Sequence, residues 1–382
     1  MNKKLIALAI ATAFAAPVAM ADSGNVKISG KIHVSFDSTK GGVGGSTDNQ
    51  TISNVSSNAS RVAFSGDEDL GNGLKTIWQV ETETSLGGTG SGDGTVGNRN
   101  SFLGLTGGFG TVLMGKNETP FKEVGRKVDL FGDQIGDNRN IVSASNAAGS
   151  NGNQWDLRPS SVVAYASPSM AGFKVAAAYA TNTSTTANTL ASTSAQSVAA
   201  TYENGPVFVG LGYERHNVAG STLTTAPTAW RLSAGFDFGS LKLVGLYQTT
   251  KDNNATEGVA TVNSAASNPT TTSDDDRNAW GLGAAFKMGS NTLKAQYYRA
   301  GDFGNISDTG ANMWALGVDH AMSKRTTAYV AYARTANDTR SFNSAPANAS
   351  AFSVTGGGHG DNAGSIAGQN TNSVSVGMMH SF

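Results

Sequence analysis

Charged side chains crowd one stretch of this chain, KNETPFKEVGRKVDLFGDQIGDNRNIVSASNAAGSNGNQWDLR, from Lys116 to Arg158. Its acids include Glu118, Glu123, Asp129, Asp133 and Asp137. Set against basic side chains across a narrow opening, they would create a transverse field able to sort solutes by charge. The candidate bases lie on strand-like runs elsewhere: Lys31, Arg61, Lys75, Lys116 and Arg158, expected near mid-height, with Arg99 as a further candidate. Bond-making chemistry finds less support. His33 and Asp37 share a strand face and imitate part of a hydrolase dyad, but no serine-centred motif accompanies them. Asp274-Asp275-Asp276 could hold a divalent cation and reads more simply as a solvated loop tip, while Asp67-Glu68-Asp69 lacks calcium-loop spacing. No glycine-rich loop joins a strand to a helix, so neither nucleotide nor other cofactor is implied.

The elements that must position these groups follow from periodicity. About forty residues without a strand pattern are too many for an ordinary connection, and loops of that length are usually functional. Within the stretch, Thr119 can cap a helix, Pro120 suits its first position, and Phe121, Val124 and Val128 recur on one face. That apolar stripe needs a wall. Val26 to Asp37 supplies the first piece, with apolar and polar side chains alternating so that Val26, Ile28, Ile32, Val34 and Phe36 share one face. A run of about twelve residues exceeds the usual soluble strand and matches a tilted membrane-spanning one.

Fifteen further runs follow, the second at 58–68 and the last at 371–382, joined alternately by short turns and by long loops such as 38–57, 118–157, 252–276 and 336–370. This predicts an all-β fold: a 16-stranded antiparallel up-and-down transmembrane β-barrel, with short periplasmic turns, long extracellular loops and a third loop carrying a short helix. The first and last strands both reach the short-turn rim and can close the sheet, as lipid requires. Aromatic residues on the apolar parity sort by height. Tyr165, Phe173, Phe236, Tyr329 and Phe382 lie toward the short turns, and Phe36, Trp230, Trp280 and Trp314 toward the loops, forming two interfacial belts. The opposite parity carries the bases, Arg334 among them, and only two confident aromatics, Tyr298 and Tyr332, too few for a sugar-stacking track.

The opening MNKKLIALAIATAFAAPVAMA sets two lysines before a short apolar run and a small-residue cleavage pattern, which predicts a signal peptide over 1–21 and a barrel domain over 22–382, with 118–157 as its constriction loop. With no cysteine, disulfides and thiol chemistry are excluded. A balance of 27 basic to 28 acidic residues gives no hint of nucleic acid.

Several segments are similar to the trimeric general porins of Gram-negative outer membranes, of the neisserial and burkholderial type. Ser60-Arg61-Val62-Ala63-Phe64-Ser65-Gly66-Asp67-Glu68-Asp69-Leu70-Gly71-Asn72-Gly73-Leu74-Lys75 resembles the family's second hairpin. Asn100-Ser101-Phe102-Leu103-Gly104-Leu105, Val163-Ala164-Tyr165-Ala166-Ser167-Pro168 and Ser323-Lys324-Arg325-Thr326-Thr327 resemble later ones. His380-Ser381-Phe382 resembles the terminal strand, although Met379 stands where a basic residue is expected. The resemblance implies an outer-membrane homotrimer whose third loop folds inward at mid-height. It also implies contact with outer-membrane lipid and lipopolysaccharide, and Phe382 acting as a signal to the barrel-assembly machinery. The expected function is a water-filled channel for passive diffusion of small hydrophilic solutes and ions, weakly anion-selective and not an enzyme. The alternatives are a barrel acting mainly as adhesin or surface antigen through its long loops, and a barrel hydrolase built on His33.

Overall fold

A computed structural model describes residues 26–42, 49–86, 95–142, 155–181, 193–218, 226–251, 276–302, 304, 307–308, 310–338 and 370–382. The expected leader, the pair Asp274 and Asp275, His359, and most of loops 252–276 and 336–370 lie outside them.

Alternation becomes strand throughout. The segments are β1 (Lys27–Gly42), β2 (Asn49–Ser57), β3 (Arg61–Gly71), β4 (Leu74–Glu83), β5 (Ser101–Gly107), β6 (Gly110–Lys116), β7 (Val162–Ala166), β8 (Phe173–Ala180), β9 (Thr193–Asn204), β10 (Val207–Val218), β11 (Thr228–Asp237), β12 (Leu241–Lys251), β13 (Arg277–Met288), β14 (Asn291–Ala300), β15 (Ala311–Ala321), β16 (Thr326–Asn337) and β17 (Asn370–Ser381). All pairings are antiparallel, and β1 runs against β17 from Lys31 opposite Ser381 to Lys40 opposite Asn372, which closes the sheet. Closure leaves no unpaired edge to face hydrocarbon.

Seventeen segments make sixteen staves because β2 and β3 lie end to end along β1. Val34 faces Ser57 and Lys31 faces Arg61, so three steps in β1 are matched by four in the facing stave. The extra residue is a bulge, with Ala59 in the left-handed region at φ 53°. His33 fastens it: its carbonyl accepts from Asn58 N at 2.9 Å, and Ser60 Oγ bonds both its amide and its carbonyl at 3.0 Å. The stretch 38–57 read as a loop is therefore mostly strand. One extra residue swaps the two faces, so no single alternation runs through the stave and the sequence pattern starts only below the break.

Outward positions carry the apolar residues, among them Phe36, Leu243, Leu282, Leu316 and Val376, all exposed on the isolated barrel. The belts are present as expected except at Tyr329. That side chain is buried, with its hydroxyl 2.9 Å from His33 Nε2, while Val330 points out. Tyr332 and Arg334, on the parity of Val330, therefore face outward and not into the lumen. Tyr329 and Tyr332 are three residues apart and must take opposite faces. Gly377 decides which, because a Cβ there would come within 2.4 Å of the Tyr329 ring. Inside, the wall from β12 to β16 is partly apolar, and the inserted loop lies against it.

Candidate functional site: the constriction

The loop enters from β6 and leaves toward β7, and it contains helices α1 (Pro120–Arg126) and α2 (Arg139–Val142). Thr119 Oγ1 caps α1 by accepting from Lys122 N at 3.4 Å, and Pro120 occupies the first turn. Phe121, Val124 and Val128 are all buried, as their spacing predicts. Their seat is made by missing side chains on β10. A Cβ at Gly212 would come within 3.2 Å of Phe121, and one at Gly210 within 3.1 Å of Val124. Farther along, Phe131 and Ile135 pack on Ala315, Ala331 and Ala333, and Ile141 and Val142 join Leu246, Tyr298 and Met313.

Polar latches hold the loop ends. Arg231 on β11 is 1 % exposed and grips Asp156 through two guanidinium nitrogens. It also donates to Gln248 Oε1 at 2.6 Å and to the Phe121 carbonyl at 3.3 Å, and stands 4.1 Å from the Phe121 ring centre. Gln248 in turn donates to the Val142 carbonyl at 2.7 Å. Trp155, fully buried, stacks on His216 at 4.5 Å, and His216 Nε2 lies 2.8 Å from Glu214.

With the loop so placed, the charges meet in three linked groups. Asp133 receives Lys31 at 2.5 Å, Arg126 at 3.2 Å, Arg139 at 3.5 Å and Arg61 at 3.6 Å, and Asp137 receives Arg139 at 2.6 Å. Arg61 also reaches Glu81 at 3.1 Å, where Arg99 joins at 3.0 Å and continues to Glu83 at 2.8 Å. Glu118 is held by Lys122 at 3.0 Å and by Arg158, which also donates to Asn100 at 2.9 Å. Exposure is unequal. The Arg61 and Arg126 side chains are 26 % and 25 % exposed, those of Asp133 and Asp137 only 4 % and 0 %. Asp133 and Asp137 lie beneath a cover of guanidinium groups, so there the lumen meets cations first.

Burial also sets the protonation of the loop. Glu118 stays well below the usual carboxylate range because Lys122 and Arg158 outweigh its burial. Burial, with a hydrogen bond and like charge from Glu118, pushes Glu123 up to about 8. Burial, then Asp137, raises Asp129 to about 7, against the amide of Phe131 that it accepts. Burial lowers Lys122 to about 8. Asp137 and Asp133 hold Arg139 above its ordinary range despite its burial.

Of the residues expected to act together, the structure brings Lys31, Arg61, Arg99 and Arg158 to the loop acids Asp133 and Glu118 or to the wall acids Glu81 and Glu83. Lys116 ends β6 at the loop entrance. Lys75 is elsewhere. It is the second residue of β4, beside the short turn, and pairs with Asp67 at 3.2 Å with both side chains about half exposed. Asp129 is not turned to the lumen but bonded to Asn138 N and Gln296. His33 and Asp37 have separate partners, Tyr329 for the first and Ser35 at 3.0 Å for the second. Sequence reasoning did not pair Arg126 and Arg139 with the loop's own acids, and it missed the Arg231–Asp156 latch. The signal for the first pairing was the spacing of Arg126, Asp133, Asp137 and Arg139 within one short segment.

The sequence model described as Gram-negative porin matches residues 7–340. The outer membrane porin protein 32 of Delftia acidovorans is 30 % identical over 336 residues, covering 86 % of this chain and 88 % of that protein. A major outer membrane protein P.IB of Neisseria meningitidis serogroup B is 31 % identical over 346 residues, covering 86 % and 92 %. Among solved structures, the anion-selective porin from Comamonas acidovorans superposes with a TM-score of 0.75 at 25 % identity, covering 94 % of this chain and 100 % of that one. The chain belongs to the Gram-negative porin family and is an outer-membrane β-barrel channel.

Proposed function

We propose that this channel passes small hydrophilic solutes and ions by diffusion with a weak preference for anions. The carrying observation is the inequality of exposure, with Arg61 and Arg126 reaching the lumen while Asp133 and Asp137 are buried beneath them. The protonation states point the same way. Lys31, Arg61, Arg99, Lys116, Lys122, Arg126, Arg139 and Arg158 stand against five carboxylates that pair with cations there, namely Glu81, Glu83, Glu118, Asp133 and Asp137. Glu123, raised to about 8, is mostly protonated at neutral pH, and Asp129, raised to about 7, carries only part of its charge there. Low-dielectric walls concentrate this field in the opening. The anion selectivity of the Comamonas acidovorans porin supports the reading. Zero-current potentials across planar bilayers in a salt gradient test it: the wild type is expected to prefer anions, and R61Q/R126Q to lose most of that preference. Clear cation preference in the wild type rejects it.

Finer features are part of the same proposal. Lys116 guards the loop entrance and Lys75 adds basic charge at the periplasmic mouth. The leader 1–21 is removed on export, the mature barrels form a homotrimer, and Phe382 presents the closing strand to the assembly machinery. Its support is local: Phe382 exchanges backbone bonds with Gly30 at 3.0 and 3.1 Å and lays its ring where a Gly30 side chain would sit.

A further inference from the structure

Beneath α1, on the side of the short turns, the lumen wall has a cleft of about 370 Å³. That volume lies within the roughly 300–1,000 Å³ usual for small-molecule sites. Its floor is formed by inward positions near the short-turn ends of β6 to β9, where Ala164, Ala166, Ala176 and Ala199 stand in place of polar side chains. Its roof is one face of α1 and its cap, since Pro120, Glu123, Val124 and Lys127 recur at helical spacing. Arg126 lies off that face and pairs with Asp133 and Asp137, so the cleft is separate from the cation-covered passage.

The charges bordering the cleft are Glu118, Glu123, Lys127, Lys174 and Glu203. Lys127 bridges to Glu203 at 2.7 Å across the rim, and Glu118 is held by Lys122 and Arg158. Glu123 and Lys174 make no ion pair among the described residues. Lys174 is exposed at the short-turn rim, where water serves it. Glu123 instead stands over the alanine floor, and its carboxyl group is hydrogen-bonded to that of Glu118. Adjacent carboxyl groups ionise together only beside a further cation, and otherwise hold a proton between them. An ammonium group can take that place by charge-assisted hydrogen bonds to both, the proton passing to solvent. A bare inorganic cation would use the acids and leave the apolar floor wet. A molecule with one positive end and a short hydrocarbon or single-ring body uses both. We propose that this cleft binds a small amphiphilic amine, with its ammonium on Glu123 and its apolar body on the alanine floor. The site is distinct from the ion passage, and its test does not depend on which ions the channel prefers.

Full-length protein in a non-ionic detergent is titrated with 4-phenylbutylamine and followed by calorimetry. Saturable binding is expected. E123Q, which removes the charge, is expected to bind at least tenfold more weakly, and so is A199L, which fills the floor and leaves every charge in place. K174Q, changed at the exposed rim, should bind at least as well as the wild type. 4-Phenyl-1-butanol, with the same body and no charge, should bind the wild type no better than it binds E123Q. 1,3-Diaminopropane, with charge and little apolar body, should not compete. Absence of saturable binding, or equal binding by wild type and E123Q, would leave only partition into detergent and overturn the proposal. Competition by the diamine would reduce the site to a diffuse acidic patch and do the same. Undiminished binding by A199L would place the amine outside the cleft, and a tenfold loss in K174Q would move its holding group to the rim; both count against the proposal.

Discussion

Replacing Arg231 with methionine is the sharpest way to separate the loop from the barrel. The guanidinium is 1 % exposed and serves Asp156, Gln248, the Phe121 carbonyl and the Phe121 ring. Methionine fills much of the volume but removes every polar contact. Stripping one partner from a buried ion pair typically costs about 3–5 kcal/mol, because the remaining charge stays desolvated. None of that cost falls on the backbone ladder between β11 and its neighbours, so it falls on loop seating. At about 1.4 kcal/mol per decade, the unseated population rises on the order of 10²- to 10³-fold. Single-channel recordings in planar bilayers should show R231M with far greater open-channel noise, while the barrel in detergent melts close to the wild type. D156N/R231M should be quieter than R231M, since the buried carboxylate that has lost the guanidinium is then replaced by a neutral amide. A wild-type trace from R231M, or a double variant noisier than the single, would show that the latch does not hold the loop.

Other expectations follow from the same geometry. Gly125→Ala should mimic R231M, because a Cβ there would meet Arg231 Nη1 at 2.4 Å, although alanine is the better helix former by about 1 kcal/mol; a quiet G125A channel would contradict the packing. Glu123 and Asp129, at about 8 and about 7, ionise as the medium becomes alkaline, so zero-current potentials should show anion preference falling steadily from acid pH to pH above 8. E123Q should flatten the upper part of that curve. Because the folded state holds the Glu123 proton more tightly than its ordinary 4.5 would allow, loop seating is firmest at acid pH and weakens from about 4.5 up through about 8. Channel noise should therefore grow over that window, and less in E123Q than in the wild type, because Asp129 contributes the same way only up to about 7. Phe382→Ala keeps the backbone bonds to Gly30 and loses the ring, so cells should yield less assembled protein while material refolded in detergent melts near the wild type; equal yields would count against an assembly role.

Much of the wall was legible because a barrel in lipid enforces strict alternation, and strands such as β12 and β14 obey it. The short helix was legible too, since Thr119, Pro120 and the Phe121–Val124–Val128 stripe are local signals. What failed was non-local. Tyr329 went to the wrong face because its choice rests on Gly377 across the strand pair. Lys75 was placed too high because strand position along the barrel axis depends on stagger, which composition does not carry. The loop acids were expected to face the wall bases unaided, yet the loop folds Arg126 and Arg139 back onto them. That pairing is set by the turn around Asp133, which sits in the left-handed region at φ 62°. Gly210 and Gly212 were a usable clue: two glycines at inward positions, where polar side chains are the rule, mark the place where something else fills the space.

The one-residue break between Ser57 and Arg61 works as a mechanical clutch. Below it, odd-numbered residues such as Arg61 and Ala63 look inward; above it, Val55 and Ser53 on the same parity look outward. The loop-bearing upper half of the stave is thereby uncoupled from the half that carries Arg61. A change of one residue in the outer part of this hairpin can be taken up at the break. Surface sequence can then drift under outside pressures without turning a cation of the narrowest passage into the membrane.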